Sequence, residues 1–333
     1  VRKLLTVLLL GLLVGCTEKA DDLEQAQESK SVLDNLVPVE GVADEPADPS
    51  DPVALRQEGN KFFTSGDYDL AVLDYTKSLS LKEDAETYFN RGVAHMAKSE
   101  VEKALADYDQ AIKLDATKAS PFINRGLLLQ RVGKAAQGIN DMTEAMKLDP
   151  KDATIVLNRG LLYLNVGMHE RAIYDLSKAI EINPQYADAY INRGFCYHLK
   201  KFYRTAIQDF DKAISLAPTN ALAFSNRGNA YSALREFDKA LADFQEAIRL
   251  ESRDPQLYTN RGSAYGSKGE HAKAAADFGR AIELAPDFAP AYRNRGLAYH
   301  KLGETEKATS DFATALALEP NNKSEIPEQY LPK

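Results

Sequence analysis

Two oppositely charged residue types recur along this chain at spacings that suit paired-ion chemistry. Arginine stands at Arg91, Arg125, Arg159, Arg193, Arg227, Arg261 and Arg295, each 34 residues after the last. Aspartate stands at Asp74, Asp107, Asp141, Asp175, Asp209, Asp243, Asp277 and Asp311. A guanidinium and a carboxylate form forked, charge-assisted hydrogen bonds, so the two series could grip a charged ligand or lock structural units together. Directly before each arginine stands an amide: Asn90, Asn124, Asn158, Asn192, Asn226, Asn260 and Asn294. An amide both donates and accepts, so a regular row of them could meet the backbone of an extended peptide or satisfy groups of the next unit. The histidines His95, His169, His198, His271 and His300 lie in different stretches without metal-ligand spacing, and no phosphate loop or nucleophile elbow occurs. The reading is therefore of a non-enzyme with no catalytic residue, cofactor or metal.

The elements that must position these residues follow from the period. A fixed spacing of 34 residues means a stack of like units, none able to bury its own apolar face alone. Residues 187–220 serve as the type unit: Gly194 at repeat position 8, Tyr197 at 11, Ala206 at 20, Phe210 at 24, Ala213 at 27 and Pro218 at 32. Positions 4, 8 and 11 share one side of a helix, and positions 20, 24 and 27 share one side of a second. Small residues at 8, 20 and 27 let the two backbones approach, the aromatic at 24 fills the space between them, and proline at 32 stops the second helix. The spacing predicts eight units, 52–84, 85–118, 119–152, 153–186, 187–220, 221–254, 255–288 and 289–322. The first is degenerate, with Glu83 in place of proline, and the third has Gly138 for alanine and Met142 for the aromatic.

These residues resemble the tetratricopeptide repeat (TPR) family over about residues 52–322. The resemblance implies an all-α solenoid of about eight antiparallel helix pairs wound into a right-handed superhelix. It also places positions 2, 5, 9, 12 and 13 of each first helix on a concave surface. There the units diverge. The early ones carry Phe89, Val93, Met96, Ile123, Leu127, Leu157, Leu161, Leu164, Ile191, Phe195 and Leu199, an apolar strip expected to be exposed and to hold a protein segment. Later units turn polar with Ser225, Asn229, Ser232, Thr259, Ser263 and Ser267, and the last turns basic with Arg293, His300 and Lys301. The asparagine row resembles the asparagine ladder in the repeats of O-linked N-acetylglucosamine transferases. Arg56, Asn60 and Asn90 resemble part of the carboxylate clamp of chaperone-binding repeats, but Ser120 and Asn124 stand where two basic residues are required. For the ion series, each aspartate is expected to bond the arginine of the following unit, Asp175 with Arg193 for example, so the first unit needs no arginine.

Residues 1–15 read as a secretory signal: Arg2 and Lys3 precede the apolar run Leu4 to Val14. The run ends Leu13, Val14, Gly15, Cys16, which resembles a bacterial lipoprotein cleavage box and implies acylation of Cys16. Residues 16–51 then form an acidic tether, with eleven acidic residues against Lys19 and Lys30, expected to be disordered. The tether holds most of the net charge of −8, and the near-neutral repeats lack the clustered cations that nucleic acid requires. Residues 323–333, interrupted by Pro327 and Pro332, form a tail that could fold over the last unit. The combined expectation is a lipid-anchored, protein-binding scaffold of the bacterial cell envelope, on the periplasmic face of the outer membrane. The alternative is a self-associating component that uses the same groove and an open end to form homo-oligomers.

Overall fold

The computed structural model describes residues 48, 50–321, 323 and 326–331. Cys16, the signal and nearly all of the tether lie outside the described residues. The chain divides into two units, residues 1–184 and 185–333. The first holds four helix pairs: α1 (Pro52–Ser65) with α2 (Tyr68–Leu81), α3 (Ala85–Ala97) with α4 (Val101–Leu114), α5 (Ala119–Arg131) with α6 (Ala135–Leu148), and α7 (Ala153–Asn165) with α8 (His169–Ile182). The second holds four more: α9 (Ala187–Leu199) with α10 (Tyr203–Leu216), α11 (Ala221–Ala233) with α12 (Phe237–Leu250), α13 (Pro255–Lys268) with α14 (His271–Leu284), and α15 (Ala289–Leu302) with α16 (Thr305–Leu318). The fold is an all-α solenoid.

Six of the eight pairs are closed by one interlock, and in the fourth Leu176 takes the place of the ring, 3.1 Å from where a Cβ on Gly160 would be. A Cβ placed on Gly59 would come within 2.6 Å of the Tyr75 ring, and one on Gly92 within 2.7 Å of Tyr108. The same holds for Gly194 against Phe210, Gly228 against Phe244, Gly262 against Phe278 and Gly296 against Phe312, at 2.7 to 2.9 Å. The ring therefore lies directly on the facing backbone, with fully buried alanines such as Ala206 and Ala213 on either side. The third pair reaches the same end by another route. With Met142 in place of the aromatic, α5 and α6 touch backbone to backbone, and a Cβ on Gly138 would meet the Gly126 carbonyl at 2.5 Å.

Helix starts and turns are chemically marked. Asp51, Asp84, Asp152, Asn220 and Asp254 accept hydrogen bonds from amides in the first turn of the following helix, which satisfies otherwise orphaned donors. The turn between the helices of each pair places repeat position 15 at positive φ. Glycine fills it at Gly66, Gly133, Gly167, Gly269 and Gly303, but Ser99, Lys201 and Arg235 adopt φ of 60° to 63° with a side chain.

The ion series corrects the expected inter-repeat pairing. Arg91 forks onto Asp107, Arg125 onto Asp141, Arg159 onto Asp175 and Arg193 onto Asp209, through Nε and Nη2 at 2.7 to 2.9 Å. Arg227 with Asp243, Arg261 with Asp277 and Arg295 with Asp311 repeat the geometry. Each pair joins the two helices of one repeat, because positions 7 and 23 face each other on one edge of the hairpin. Asp74, whose repeat lacks the arginine, bonds Lys77 instead. The link between repeats is the remaining nitrogen. Nη1 of Arg91, Arg125 and Arg159 reaches back to Thr76, Asp109 and Thr143, and Nη1 of Arg227 and Arg261 to Asp211 and Gln245.

The tail closes the last pair. Ile326 is buried in a cluster with Ala308 and Phe312, Leu316 packs against that cluster, and the Tyr330 hydroxyl lies 3.0 Å from His300 Nδ1. Pro327 precedes a short 3-10 turn at Glu328–Tyr330.

Two outcomes follow for urea unfolding. Lys201→Gly and Arg235→Gly should each stabilise the chain by about 0.5–1 kcal/mol, because glycine relieves the left-handed backbone without steric cost. In a double-mutant cycle Arg227 should couple to Asp243 by about 1–3 kcal/mol and to Asp209 by close to nothing. The reverse ranking would restore inter-repeat pairing.

Candidate functional site: the inner rows of the first helices

Within each unit the first helices of neighbouring pairs touch one another, as α1 does α3 and α9 does α11, while each second helix packs on the next first helix. The first helices therefore line the inner side of each unit. Their stacking buries most of the apolar strip that the sequence led one to expect exposed. Phe89, Val93, Ile123, Leu157, Leu164 and Ile191 are all buried, while Leu127, Leu161 and Phe195 are half-buried. The cause is contact with the following helix. Phe89 and Val93 share a cluster with Leu128 of α5, and Ile123 shares one with Ile155 and Leu162 of α7. Position 5 is thus a packing position here, and the open inner surface is drawn from positions 9, 12 and 13.

The asparagine row is also drawn inward. Asn90, Asn124, Asn158, Asn192 and Asn226 are buried, and Asn260 and Asn294 are half-buried. Asn90 Nδ2 donates to Asn60 Oδ1 at 3.1 Å, and that oxygen also accepts from the Tyr75 hydroxyl at 2.8 Å. Asn192 Nδ2 donates to the Asp188 carbonyl one turn earlier. Asn260 Nδ2 reaches Ser225 Oγ of the preceding repeat at 3.3 Å while its Oδ1 accepts from Gln256. Arg293 Nε lies 3.5 Å from Asn294 Oδ1. Asn158 differs: its Oδ1 is buried without a hydrogen-bond partner. The partial clamp is likewise engaged internally, since Arg56 Nη1 pairs with Asp84 at 2.8 Å and Glu86 at 3.1 Å.

The open inner surface differs between the units. In the first, Leu127 and Leu161 sit beside Gln130 and Arg131, a mixed apolar and polar rim. In the second, Phe195 and Leu199 give way to Asn229, Ser263, Ser267 and Lys301, the last three exposed. Two polar atoms of this second wall, His198 Nδ1 and Ser232 Oγ, are buried without a partner, both at repeat position 12 of adjacent repeats. Burial pushes the His198 imidazole below its ordinary pKa, so it is neutral at pH 7. Cys196, one helical turn from Lys200, is buried and its thiol is pushed up to about 12 by burial, which fits a packed side chain and not a nucleophile. Among the described residues no group of three or more His, Cys, Asp or Glu could hold a metal, and no helix is long and apolar enough to cross a membrane.

The period, the glycine and aromatic interlock and the helix pairs coincide with known family patterns. The family description "Tetratricopeptide repeat" matches residues 85–118, 187–220, 221–254 and 289–322, and "TPR repeat" matches 166–201 and 262–303, together more than half of the chain. The chain belongs to the tetratricopeptide repeat family. A tetratricopeptide repeat protein from Parabacteroides merdae aligns at a TM-score of 0.62 with 25% identity, over 72% of this chain and 95% of that one. The APC/C hetero-tetramer Cut9-Hcn1 aligns at a TM-score of 0.60 with 16% identity, over 96% of this chain and 61% of that one, a likeness of fold. Among curated relatives, protein unc-45 homolog B of Xenopus tropicalis is 39% identical over 71 residues, 20% of this chain and 8% of that protein. Tetratricopeptide repeat protein 12 of Homo sapiens is 42% identical over 69 residues, 20% of this chain and 10% of that protein. The chain thus matches a tenth or less of these relatives' length. As a repeat protein of this family it is a protein-binding scaffold.

The sequence missed two features of the site. Burial of position 5 had no local signal, because an apolar residue on an inner helix reads the same whether a partner or the next repeat covers it. The reach of Nη1 to the preceding repeat depends on position 25, where Thr, Asp and Gln alternate without a visible pattern.

The internal role of the asparagines has a measurable consequence. Asn90→Ala should destabilise the chain by about 1–2 kcal/mol in urea unfolding, since it removes the amide that bonds Asn60 Oδ1 in a buried site. An unchanged midpoint would return Asn90 to the ligand-binding row.

Proposed function

We propose that this protein is a lipid-anchored scaffold of a bacterial cell envelope that holds segments of partner proteins along the inner walls of its two units. The observation that carries the binding surface is the state of the second inner wall. Ser263, Ser267 and Lys301 are open and polar there, and His198 Nδ1 and Ser232 Oγ are buried without hydrogen-bond partners. Buried polar atoms are normally satisfied, so neighbouring unsatisfied ones beside an open surface suit the amides and carbonyls of an extended chain. The first wall offers Leu127 and Leu161 instead, half-buried side chains suited to apolar anchors. The two walls differ in chemistry.

The anchor rests on the residues before the repeats. Leu13, Val14, Gly15 and Cys16 after a short apolar run resemble a lipoprotein cleavage box. Acyl chains on Cys16 would contribute about 0.8 kcal/mol per buried methylene, so several chains hold a protein firmly on a membrane. The acidic tether that follows would keep the repeats off the lipid surface on a flexible chain.

In-cell photo-crosslinking separates the surfaces. A crosslinker at Leu127, Leu161, Asn229 or Ser263 should capture discrete partners, while one at Tyr174 or Phe202, exposed in the second-helix halves of their repeats, should not. Equal capture from both sets would remove the inner-wall assignment. Cys16→Ala should move the protein from the membrane to the soluble fraction and abolish incorporation of labelled palmitate. A variant that stays in the membrane would refute the anchor and leave the binding surface standing.

A further inference from the structure

The outer edge of the second unit contains one built site that its own neighbours fill and one that they leave open. The pairs α11 with α12 and α15 with α16 carry the same arrangement. Arg227 forks onto Asp243 and Arg295 onto Asp311. The guanidinium carbons lie 5.9 Å from the Tyr231 ring and 5.8 Å from the Tyr299 ring, with Lys239 and Lys307 over the same rings at 5.2 and 5.1 Å. Lys239 bonds Glu236, and Lys307 bonds Glu304. The difference lies in the acceptor supplied by the preceding repeat. Arg227 Nη1 donates to Asp211 at 2.6 Å. At the position equivalent to Asp211, Arg295 meets Gly279, and its Nη1 lies 3.7 Å from where a Cβ on that glycine would be. The five other described seams of this kind place Thr76, Asp109, Thr143, Asp211 or Gln245 there.

Packing does not require that glycine. Within 4 Å of its missing Cβ there is only the Arg295 nitrogen, in ordinary contact, whereas the interlock glycines would drive a Cβ into a ring. Its φ is not positive, and it sits inside α14, where glycine weakens a helix relative to alanine. The one local effect of Gly279 is to clear the acceptor position. The Arg295 side chain is 22% exposed, so the cleared position can be reached from solvent.

We propose that Gly279 and Arg295 form a notch for a carboxylate, the side chain of an aspartate or glutamate on a partner polypeptide, held at Nη1 as Asp211 is held by Arg227. Tyr292 and Tyr299, with ring centres 5.7 and 5.8 Å from the guanidinium carbon, flank it. The notch lies on the arginine edge and its argument is independent of the inner-wall reading, so either can fail alone.

The test follows the guanidinium 15N resonances of the full chain during titration with sodium acetate, against sodium chloride at matched ionic strength. The Arg295 signals should shift progressively with acetate and not with chloride, while those of Arg227, already bonded to Asp211, stay in place. Gly279→Asp, which supplies the acceptor internally, should abolish the acetate response, and Gly279→Ala should keep it. Equal shifts at Arg227 and Arg295, an equal response to chloride, or an undiminished response in Gly279→Asp would overturn the proposal. A larger response to sodium phosphate than to acetate would overturn the assignment to a carboxylate. The comparison of Arg227 with Arg295 needs no variant, so it stands even if a substitution disturbs folding.

Discussion

The absence of a side chain at repeat position 8 lets an aromatic ring lie on bare backbone, and this close approach sets the geometry of nearly every helix pair. Adding one methyl at Gly59 or Gly228 would place it within 3 Å of ring atoms. Close packing at that density leaves no slack, so the two helices of a pair have one register. The forked ion pair on the hairpin edge then fits only that register. Arg193 and Asp209, with side chains 20% and 8% exposed, bond through both nitrogens because the interlock has already brought positions 7 and 23 face to face. Such a pair contributes more to geometry than to net stability, since desolvation offsets much of its attraction.

Five of the arginines serve two boundaries at once. Nε and Nη2 close the hairpin, and Nη1 reaches the previous repeat where an acceptor is present. The framework residues are thereby committed internally, as are Asn90, Asn192 and the partial clamp around Arg56. What remains free to vary without disturbing the stack is the outer part of the inner wall and the open seam at Gly279. Leucines on one wall and serine, asparagine and lysine on the other are differences the framework tolerates, and they are where the chemistry of partner choice can reside.

The fold was legible because its signals are local and repeated: small residues facing an aromatic, and a proline after the second helix. The arginine and aspartate series was visible as well, but its pairing was misassigned. A 34-residue period gives the angular position of a residue and not whether its nearest counterpart lies 16 residues ahead or 18 behind; the side-by-side packing of Gly194 with Phe210 decides it. The apolar strip failed for a related reason. Phe89 and Ile123 mark the inner side of a helix, and only the closeness of the next first helix shows that this side is covered. Ser99, Lys201 and Arg235 at positive φ could not be read either, because glycine is the usual signal there and three repeats lack it.

The central claim is that the helix pairs form a fixed frame whose inner walls, and not its outer helices, receive partner proteins. Hydrogen exchange of the full chain with and without a captured partner tests it most directly. The account predicts added protection confined to the first helices, around Leu127 and Leu161 in one unit and Asn229 and Ser263 in the other, with exchange in the second helices unchanged. Protection centred on α8 or α10, with the inner walls unaffected, would contradict it.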